Sequence, residues 1–226
     1  MSTQQVKPRV VVAMPIYGQV PAQAAMAFAT MIGCGVAHGL ICGMVQNHFG
    51  LLSQSRNYIV ENCLNMKYGF GTTEEAAATH ILFLDADMVP PNDLIQQLGK
   101  HNKPVVSGLY FERRHPHPPV YRRSRDEVKM RETSYENGLF EVGHIGLGCA
   151  LMEMAVLRRM EEKYRDQRWF AFENGEGEDI FFCRRLHEMG VPIFLDGSLC
   201  VGHVGDHVVT EKHFNARDTL AALGAT

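Results

Sequence analysis

Two carboxylates one residue apart, Asp85 and Asp87, are the most suggestive chemical feature of this 226-residue sequence. They follow the short apolar run from Ile81 to Leu84, which is typical of a strand buried on both faces. Ligands of open α/β sheets bind beyond the carboxyl ends of the strands. Two acids at that position repel one another unless a cation offsets them, so the pair predicts a divalent metal that carries a phosphate-rich ligand. The alternative is a pair of solvated turn residues.

Other candidate side chains also fall where a predicted strand ends or a helix begins. The first predicted strand, Val10 to Met14, ends at Pro15 and Tyr17, which would present an aromatic ring at the same sheet edge. Arg56 lies in the first turn of a predicted helix, where a cation is unfavourable for the helix dipole. It would suit an anionic ligand there, and a solvent-exposed arginine is the equally weighted alternative. His203 stands beside a glycine just past a late predicted strand, in a position open to a metal.

The second half of the chain adds a glycine-rich segment and a second acid pair. Residues 143–148 include His144 and Gly146, and their glycines would let the backbone approach a ligand closely. Glu178 and Asp179 open a predicted helix, where the dipole favours carboxylates in any case. The more specific interpretation is a general base, or a group that binds sugar hydroxyls.

The alternation of strands and helices predicts an α/β fold with one domain over residues 1–226. A chain of this length buries roughly 70% of its unfolded surface. The formal charge of −3 is too small to indicate a nucleic-acid or membrane partner. Six cysteines without a C-x-x-C pair, and a polar start, favour a cytoplasmic protein with reduced thiols. The last residues, 207–226, are predicted to form a tail or terminal helix.

Several boundaries follow from local signals. The uncharged stretch from Ala24 to Val45 is predicted to be a buried helix, a turn and a strand, with no membrane span. The helix is expected to end at Gly33 and Gly35. Asn92 is expected to cap the helix after the acid pair. Two separate late strands are expected at 191–196 and 199–201.

Taken in this order, the features from about Val10 to Gly205 resemble the nucleotide-sugar glycosyltransferases of the GT-A fold, especially the family-2-like enzymes. Pro15 and Tyr17 are similar to that family's nucleoside-binding turn, and Arg56 to its helix that contacts the nucleotide. Asp85-Ala86-Asp87 resembles the DxD motif.

The later features complete the resemblance. His144 and Gly146 fall in the position of the family's glycine-rich acceptor loop. Glu178 and Asp179 resemble the "ED" pair that contacts the acceptor, and His203 resembles the late histidine that helps to hold the metal.

The resemblance implies a GT-A, Rossmann-like α/β/α sandwich with a mostly parallel central sheet. It implies transfer of a sugar from a nucleoside diphosphate sugar to an unidentified acceptor hydroxyl. Asp87 and His203 would hold Mn²⁺ or Mg²⁺, with Asp85 nearer the ribose or a metal-bound water. If the enzyme inverts, Asp179 or Glu178 would deprotonate the acceptor; if it retains, the pair would only position it. Both possibilities stay open.

Residues 113–131 depart from the family pattern, because they hold six arginines, one lysine and a proline-rich run. The composition predicts a basic loop without regular structure. Such a loop would suit an anionic acceptor, for example nucleic acid or a phosphorylated lipid headgroup, or it is a solvated loop. Substitution of Arg122, Arg123 and Arg125 would test the anionic acceptor.

Two other functions are compatible with parts of the pattern. In a haloacid-dehalogenase-type phosphatase, Asp85 would be the nucleophile, with Ser107 in the second motif and Asp206 in the fourth. The early strands before Asp85 and the unused His203 argue against it. A non-catalytic nucleotide-sugar-binding module would keep the fold without turnover.

Overall fold

The computed structural model describes residues 7–48, 50–68, 76–126, 131–165 and 168–222. The strands, in chain order, are β1 (Val10–Pro15), β2 (Ile41–Asn47), β3 (Lys67–Tyr68), β4 (Ala76–Ala77), β5 (His80–Leu84), β6 (Met88–Val89), β7 (Val105–Leu109), β8 (Tyr121–Arg122), β9 (Leu139–Val142), β10 (His144–Ile145), β11 (Cys149–Glu153), β12 (Ile193–Cys200), β13 (Gly202–Val204) and β14 (Val208–Val209). The helices are α1 (Ala22–Ala37), α2 (Leu52–Asn65), α3 (Leu94–Gly99), α4 (Met154–Tyr164), α5 (Glu178–Glu188) and α6 (Ala216–Ala222), with a 3₁₀ turn at Glu211–His213.

Seven of these strands form the central sheet, in the order β2-β1-β5-β11-β7-β12-β9. Strands β2, β1, β5, β7 and β12 run in one direction, whereas β11 and β9 run in the other. Side chains of α2, α4 and α5 pack on one face of the sheet and those of α1 and α3 on the other. The fold is therefore a Rossmann-like α/β architecture with a mostly parallel central sheet, as predicted.

Strand β5 requires an unbroken apolar run because both of its faces are buried in the core. Ile81 and Phe83 belong to the core on one face of the sheet, and Leu82 and Leu84 to the core on the other. All four are fully buried, and burial of such side chains contributes about 1.5–3 kcal/mol each. The strand is thereby held in the middle of the sheet, and the residues after Leu84 emerge at its carboxyl edge.

Three predicted boundaries were wrong. Helix α1 continues through Gly33 and Gly35 and ends only at Ala37. Gly35 serves close packing, because a Cβ there would lie 2.6 Å from Cδ1 of Ile41. Helix α3 begins at Leu94 with Asp93 before it, so Asn92 is not the cap. The two late strands are one, β12, with an irregularity in its pairing with β7.

The uncharged stretch in the first part of the chain consists of most of α1, a turn and β2, in the predicted order. The predicted burial of the helix holds for one face only, which carries Ala24, Phe28 and Met31. Gly39 in the turn has φ +61°, a backbone conformation that favours glycine. Within the described residues, no helix combines the length and apolar character that crossing a lipid bilayer requires.

Asn57 of α2 holds the segment that precedes α5. Its Nδ2 donates to the carbonyl oxygen of Phe170 at 2.7 Å, and its Oδ1 accepts from the Phe170 backbone N–H at 3.0 Å. The Phe170 ring stacks on Phe182 of α5 and meets Phe83 of β5 edge to face. One buried amide thus connects α2, which carries Arg56, with β5, which precedes Asp85, and with α5, which begins at Glu178.

We expect Asn57→Ala to lower the free energy of unfolding by about 2–4 kcal/mol. The substitution leaves two buried backbone groups of Phe170 without partners, at about 1–3 kcal/mol each. Urea denaturation measures the change. Asn62→Ala is the matched control, since Asn62 only donates to the Tyr58 carbonyl within α2, and it should change stability by about 0.5 kcal/mol or less. Equal effects of the two variants would contradict the prediction.

Candidate functional site

The carboxyl ends of β1 and β5 open into a cleft of about 470 Å³. The structure brings five of the predicted site residues together along it: Pro15, Tyr17, Asp85, Ala86 and Asp87. Leu52 at the start of α2 and the turn after β13 complete its walls. The segments after β1 and β5 share one edge because these strands pair in parallel, as expected for a Rossmann-like sheet.

A second cavity of about 360 Å³ adjoins the cleft and shares Asp85 and Asp87 with it. Tyr110, at the end of β7, and His203, in β13, line this second cavity. Arg113 lines both. The two acids after β5 therefore stand between the cleft and the second cavity.

Asp87 has two nitrogen-bearing neighbours. Arg113 donates from Nη1 to Oδ2 of Asp87 at 2.9 Å, and Nε2 of His203 lies 3.5 Å from the same oxygen. Burial raises the pKa of the Asp87 carboxyl, but the hydrogen bond with His203 and the charges of His203 and Arg113 outweigh it and hold the pKa below its ordinary value. Asp87 is accordingly ionised at neutral pH.

His203 is oriented by the backbone. Its Nδ1 lies 2.8 Å from the carbonyl oxygen of Phe111, which can only accept, so Nδ1 carries a proton and donates it. In the neutral ring the lone pair is then on Nε2, the nitrogen that faces Asp87. A carbonyl that fixes the far nitrogen in this way is typical of histidines that bind metals.

Asp87 and His203 thus fit part of a metal shell with mixed oxygen and nitrogen ligands. In the described part of the chain, no group of three or more His, Cys, Asp or Glu side chains has the arrangement of a metal site. A metal held by this pair would need its other ligands from water and from a bound phosphate, which is how Mg²⁺ is commonly held beside nucleotides.

Asp85 is held by the protein's own cation. Arg56, with 2% of its side chain exposed, donates from Nη2 to both carboxylate oxygens of Asp85 at 3.0 and 3.2 Å. Its Nη1 donates to Oε1 of Glu178. The solvent-exposed alternative for Arg56 was therefore wrong, and the anions that it contacts belong to this chain. Its predicted contact with a nucleotide stays a prediction.

Arg56 and Arg113 provide positive charge beside the two acids after β5. Each of these carboxylates contacts one guanidinium, so the repulsion between the carboxylates is offset without a divalent ion. The fit of a metal rests instead on the orientation of His203.

Glu178 and Asp179 lie in the first turn of α5, as predicted, but in different surroundings. Glu178 is buried; burial raises its carboxyl pKa, the charge of Arg56 opposes this, and the net pKa is above the ordinary value. Asp179 is half-buried, and its Oδ1 accepts from the backbone N–H of Ile180 at 2.8 Å. Of the two carboxylates, that of Asp179 is the more accessible.

The glycine-rich segment packs around Tyr110, which was not predicted to be part of the site. The Gly148 backbone N–H donates to the Tyr110 hydroxyl at 3.1 Å, and a Cβ on Gly146 would lie 2.1 Å from that oxygen. Burial, followed by the charges of Asp85 and Asp179, raises the pKa of the phenol well above its ordinary value, so it stays neutral. The glycines are thus explained by internal packing.

His144 is enclosed beneath this segment. Its Nδ1 lies 3.1 Å from the carbonyl oxygen of Ser124, and burial lowers the pKa of the ring. Gly146 is buried as well. The predicted acceptor-binding roles of His144 and Gly146 stay predictions to which the structure adds no exposed surface.

The basic segment is more regular than predicted. Strand β8 within it pairs with β10, and residues 127–130 lie outside the described part of the chain. Several of its arginines contact acids within the described residues: Arg123 contacts Glu132 and Glu136, Arg125 contacts Glu141, Arg131 contacts Glu112 and Arg113 contacts Asp87. Arg113 lines the cleft, and Arg113 and Arg114 line the second cavity. Charge counting alone could not single them out.

The position of Ser107 does not fit the second motif of a phosphatase. Ser107 is fully buried in β7, and its hydroxyl donates to the carbonyl oxygen of Cys149 at 2.7 Å. A side chain in the middle of the sheet cannot contact a phosphate on Asp85. Both oxygens of Asp85 also accept from Arg56, which makes them poorer nucleophiles.

Comparisons with known proteins bear on the fold alone. No protein-family model matches the chain, and no curated protein sequence matches it. Among solved structures, A197 from STIV has a TM-score of 0.61 at 20% identity, over 91% of this chain and 91% of that chain. This likeness shows a shared fold.

Two other solved structures are more distant. A glycosyltransferase involved in the glycosylation of the major capsid of PBCV-1 has a TM-score of 0.34 at 13% identity, over 74% of this chain and 71% of that chain. The nucleoside-diphosphate-sugar pyrophosphorylase from Vibrio cholerae RC9 has a TM-score of 0.38 at 10% identity, over 93% of this chain and 80% of that chain. Both TM-scores are too low to support a functional assignment.

We expect Gly146→Ala to lower the free energy of unfolding by about 1–3 kcal/mol, because the new methyl group overlaps the Tyr110 hydroxyl. Adding Tyr110→Phe removes the nearest atom and should restore part of the loss. Guanidinium denaturation of the single and double variants measures both effects.

Gly33→Ala is the matched control, since a Cβ there meets no atom within 4 Å. In mid-helix this change should leave stability unaltered or raise it by up to about 1 kcal/mol. Wild-type stability in Gly146→Ala would show that the packing explanation is wrong.

Proposed function

We propose that the protein is a metal-dependent glycosyltransferase of the GT-A type, which moves a sugar from a nucleoside diphosphate sugar to an acceptor hydroxyl. The observation that carries the proposal is the placement of Asp85 and Asp87 between the two cavities, with His203 oriented toward Asp87. A protonated His203 forms an ion pair with Asp87. In its neutral form, an oriented histidine beside a strand-end carboxylate suits a metal that binds a diphosphate.

The cleft after β1 and β5 suits the nucleoside. A smaller, mainly apolar cavity of about 230 Å³ adjoins it and shares Pro15, Tyr17 and Leu52 with it. Tyr17 at its rim is 92% exposed, so the ring has a free face for stacking. A flat aromatic surface over an apolar slot is what a nucleobase requires. Pro15 and Tyr17 would then hold the base, with Asp85 and Ala86 nearer the ribose.

Asp87 and His203 would hold Mn²⁺ or Mg²⁺, and the nitrogen ligand favours Mn²⁺ slightly. The bound metal supplies positive charge to the departing diphosphate. Arg113 contacts the same oxygen of Asp87 that would face the metal. Its guanidinium therefore competes with the metal, and once displaced it is free to bind a phosphate.

Asp179 is the carboxylate placed to receive the acceptor proton in an inverting reaction, because Glu178 is buried and engaged by Arg56. In a retaining reaction, Asp179 would instead hydrogen-bond the acceptor hydroxyl and fix its direction. The neutral Tyr110 phenol lines the second cavity together with Asp85.

A non-catalytic nucleotide-sugar-binding module is the second candidate function. It would bind the nucleotide in the same cleft and the metal at Asp87 and His203, since neither kind of binding depends on turnover. The half-buried Asp179 in the first turn of α5 favours the enzyme over the module, because binding of the donor alone does not require this carboxylate.

We expect the protein to release nucleoside diphosphate from at least one nucleotide sugar when it is incubated with Mn²⁺ and a panel of UDP-, GDP- and ADP-sugars. Asp87→Ala should reduce the rate on the order of 100-fold or more, because charge stabilisation of the leaving group is lost. The matched control is Asp93→Ala, an exposed acid whose contact is with Gln97 on the surface of α3, which should keep the wild-type rate.

The other outcomes each identify a different function. Tight nucleotide binding with no release, also in the presence of candidate acceptors, supports the module. Phosphate release from a generic phosphate ester, lost in Asp85→Asn, supports the phosphatase. No binding of any nucleotide with or without Mn²⁺ contradicts the proposal.

Metal binding can be measured without turnover. Electron paramagnetic resonance of Mn²⁺ titrated with the protein and a nucleoside diphosphate reports bound metal. We expect His203→Ala to weaken this binding by at least about tenfold. His38→Ala, which removes an exposed histidine beside α1, should leave it unchanged. Equal Mn²⁺ affinity in wild type and His203→Ala would remove His203 from the metal site.

A further inference from the structure

Arg56 hydrogen-bonds to Asp85 in the donor half of the proposed site and to Glu178 in its acceptor half. It comes from α2, whereas its partners Asp85 and Glu178 follow β5 and open α5, 29 and 122 residues away in the sequence. The guanidinium is enclosed on all sides. Among the described residues, its buried Nε has no hydrogen-bond partner, and the hydrogen bonds of this cation to Asp85 and Glu178 are made by Nη1 and Nη2.

One cation here serves several acids. Burial opposes the charge of Arg56, and the carboxylates of Asp85, Glu178 and Asp179, in that order, outweigh it and raise the guanidinium pKa. In such a shared arrangement, the interaction with one acid depends on the charge of the others. A change at Asp85 must therefore alter how strongly Arg56 holds Glu178.

We propose that Arg56 is a positioning residue that couples donor binding at Asp85 to the acid pair at the start of α5. This inference rests on the proposed function. When a ligand engages the Asp85 carboxylate, less of its charge is available to Arg56, and the guanidinium is held more by Glu178. Glu178 then keeps its charge, and the first turn of α5, with Asp179, is fixed for the acceptor.

The coupling must be reciprocal, because binding free energies are linked in both directions. Neutralising Glu178 removes the competitor for Arg56, which strengthens the Arg56–Asp85 contact and makes Asp85 less available to a ligand. Nucleotide affinity should then fall, although Glu178 does not line the cleft. Couplings of this kind change affinity by about 5- to 150-fold.

The test is a double-mutant cycle on the dissociation constant of UDP, GDP and ADP with Mn²⁺, measured by isothermal titration calorimetry. We expect Glu178→Gln to weaken binding of the preferred nucleotide at least fivefold. In an Arg56→Lys background, the same substitution should change affinity by less than twofold. A lysine ammonium is a point charge and cannot hold two carboxylates with a planar fork.

The cycle separates the coupling from simpler effects. A direct influence of the Glu178 charge on the nucleotide would persist in the Arg56→Lys background, and that result would overturn the inference. Glu173→Gln is the matched control, because Glu173 pairs with Arg184 on the surface; it should leave affinity within twofold of wild type.

A second cycle uses no ligand and so distinguishes failure of this inference from failure of the proposed function. When residue 56 is arginine, the changes in unfolding free energy caused by Asp85→Asn and Glu178→Gln should not add up in the double variant. In the Arg56→Lys background, the two changes should be additive. Additivity in both backgrounds overturns the coupling. If wild type binds no nucleotide but the unfolding cycle is non-additive, the proposed function fails while the Arg56 coupling stands.

Discussion

Burial of one positive charge constrains the arrangement of the candidate site. A guanidinium without water is tolerated only when carboxylates surround it, and removal of a partner from such a group is strongly destabilising. Arg56 meets this requirement with Asp85 and Glu178. The start of α2, the end of β5 and the start of α5 must therefore stay within contact distance of one another. The proposed donor and acceptor groups are assembled by the same interaction that satisfies the buried cation.

This constraint gives the two acids after β5 different properties, although only Ala86 separates them. Asp85 is held at both oxygens by the buried Arg56. Asp87 contacts the exposed Arg113 and the oriented His203. A carboxylate that an exposed side chain covers can be released to a ligand at small cost, whereas one that compensates a buried cation cannot. Asp87 is for this reason the more suitable metal ligand of the pair.

Features that depend on local pattern could be predicted from the sequence. The apolar runs of β1 and β5 and the acids after Leu84 follow from strand periodicity and strand-end chemistry. Features that depend on distant parts of the chain could not. Gly35 and Gly146 make room for Ile41 and Tyr110, and this purpose is visible only once those residues are in place. The sequence did not reveal the acidic partners of Arg113, Arg123 and Arg125, because these partners lie up to 26 residues away or on other elements.

The same distinction applies to the metal. Charge repulsion between neighbouring aspartates predicted a cation, and the structure supplies two guanidinium groups in that role. Repulsion alone therefore cannot distinguish a metal site from an arginine-compensated pair. The orientation of His203 adds an independent observation, because Nδ1 donates to Phe111 and Nε2 is the nitrogen that faces Asp87. Two acceptors that face each other need either a proton or a metal between them. A phosphate-bearing ligand would bring the metal, and with it the remaining oxygen ligands that the protein does not provide.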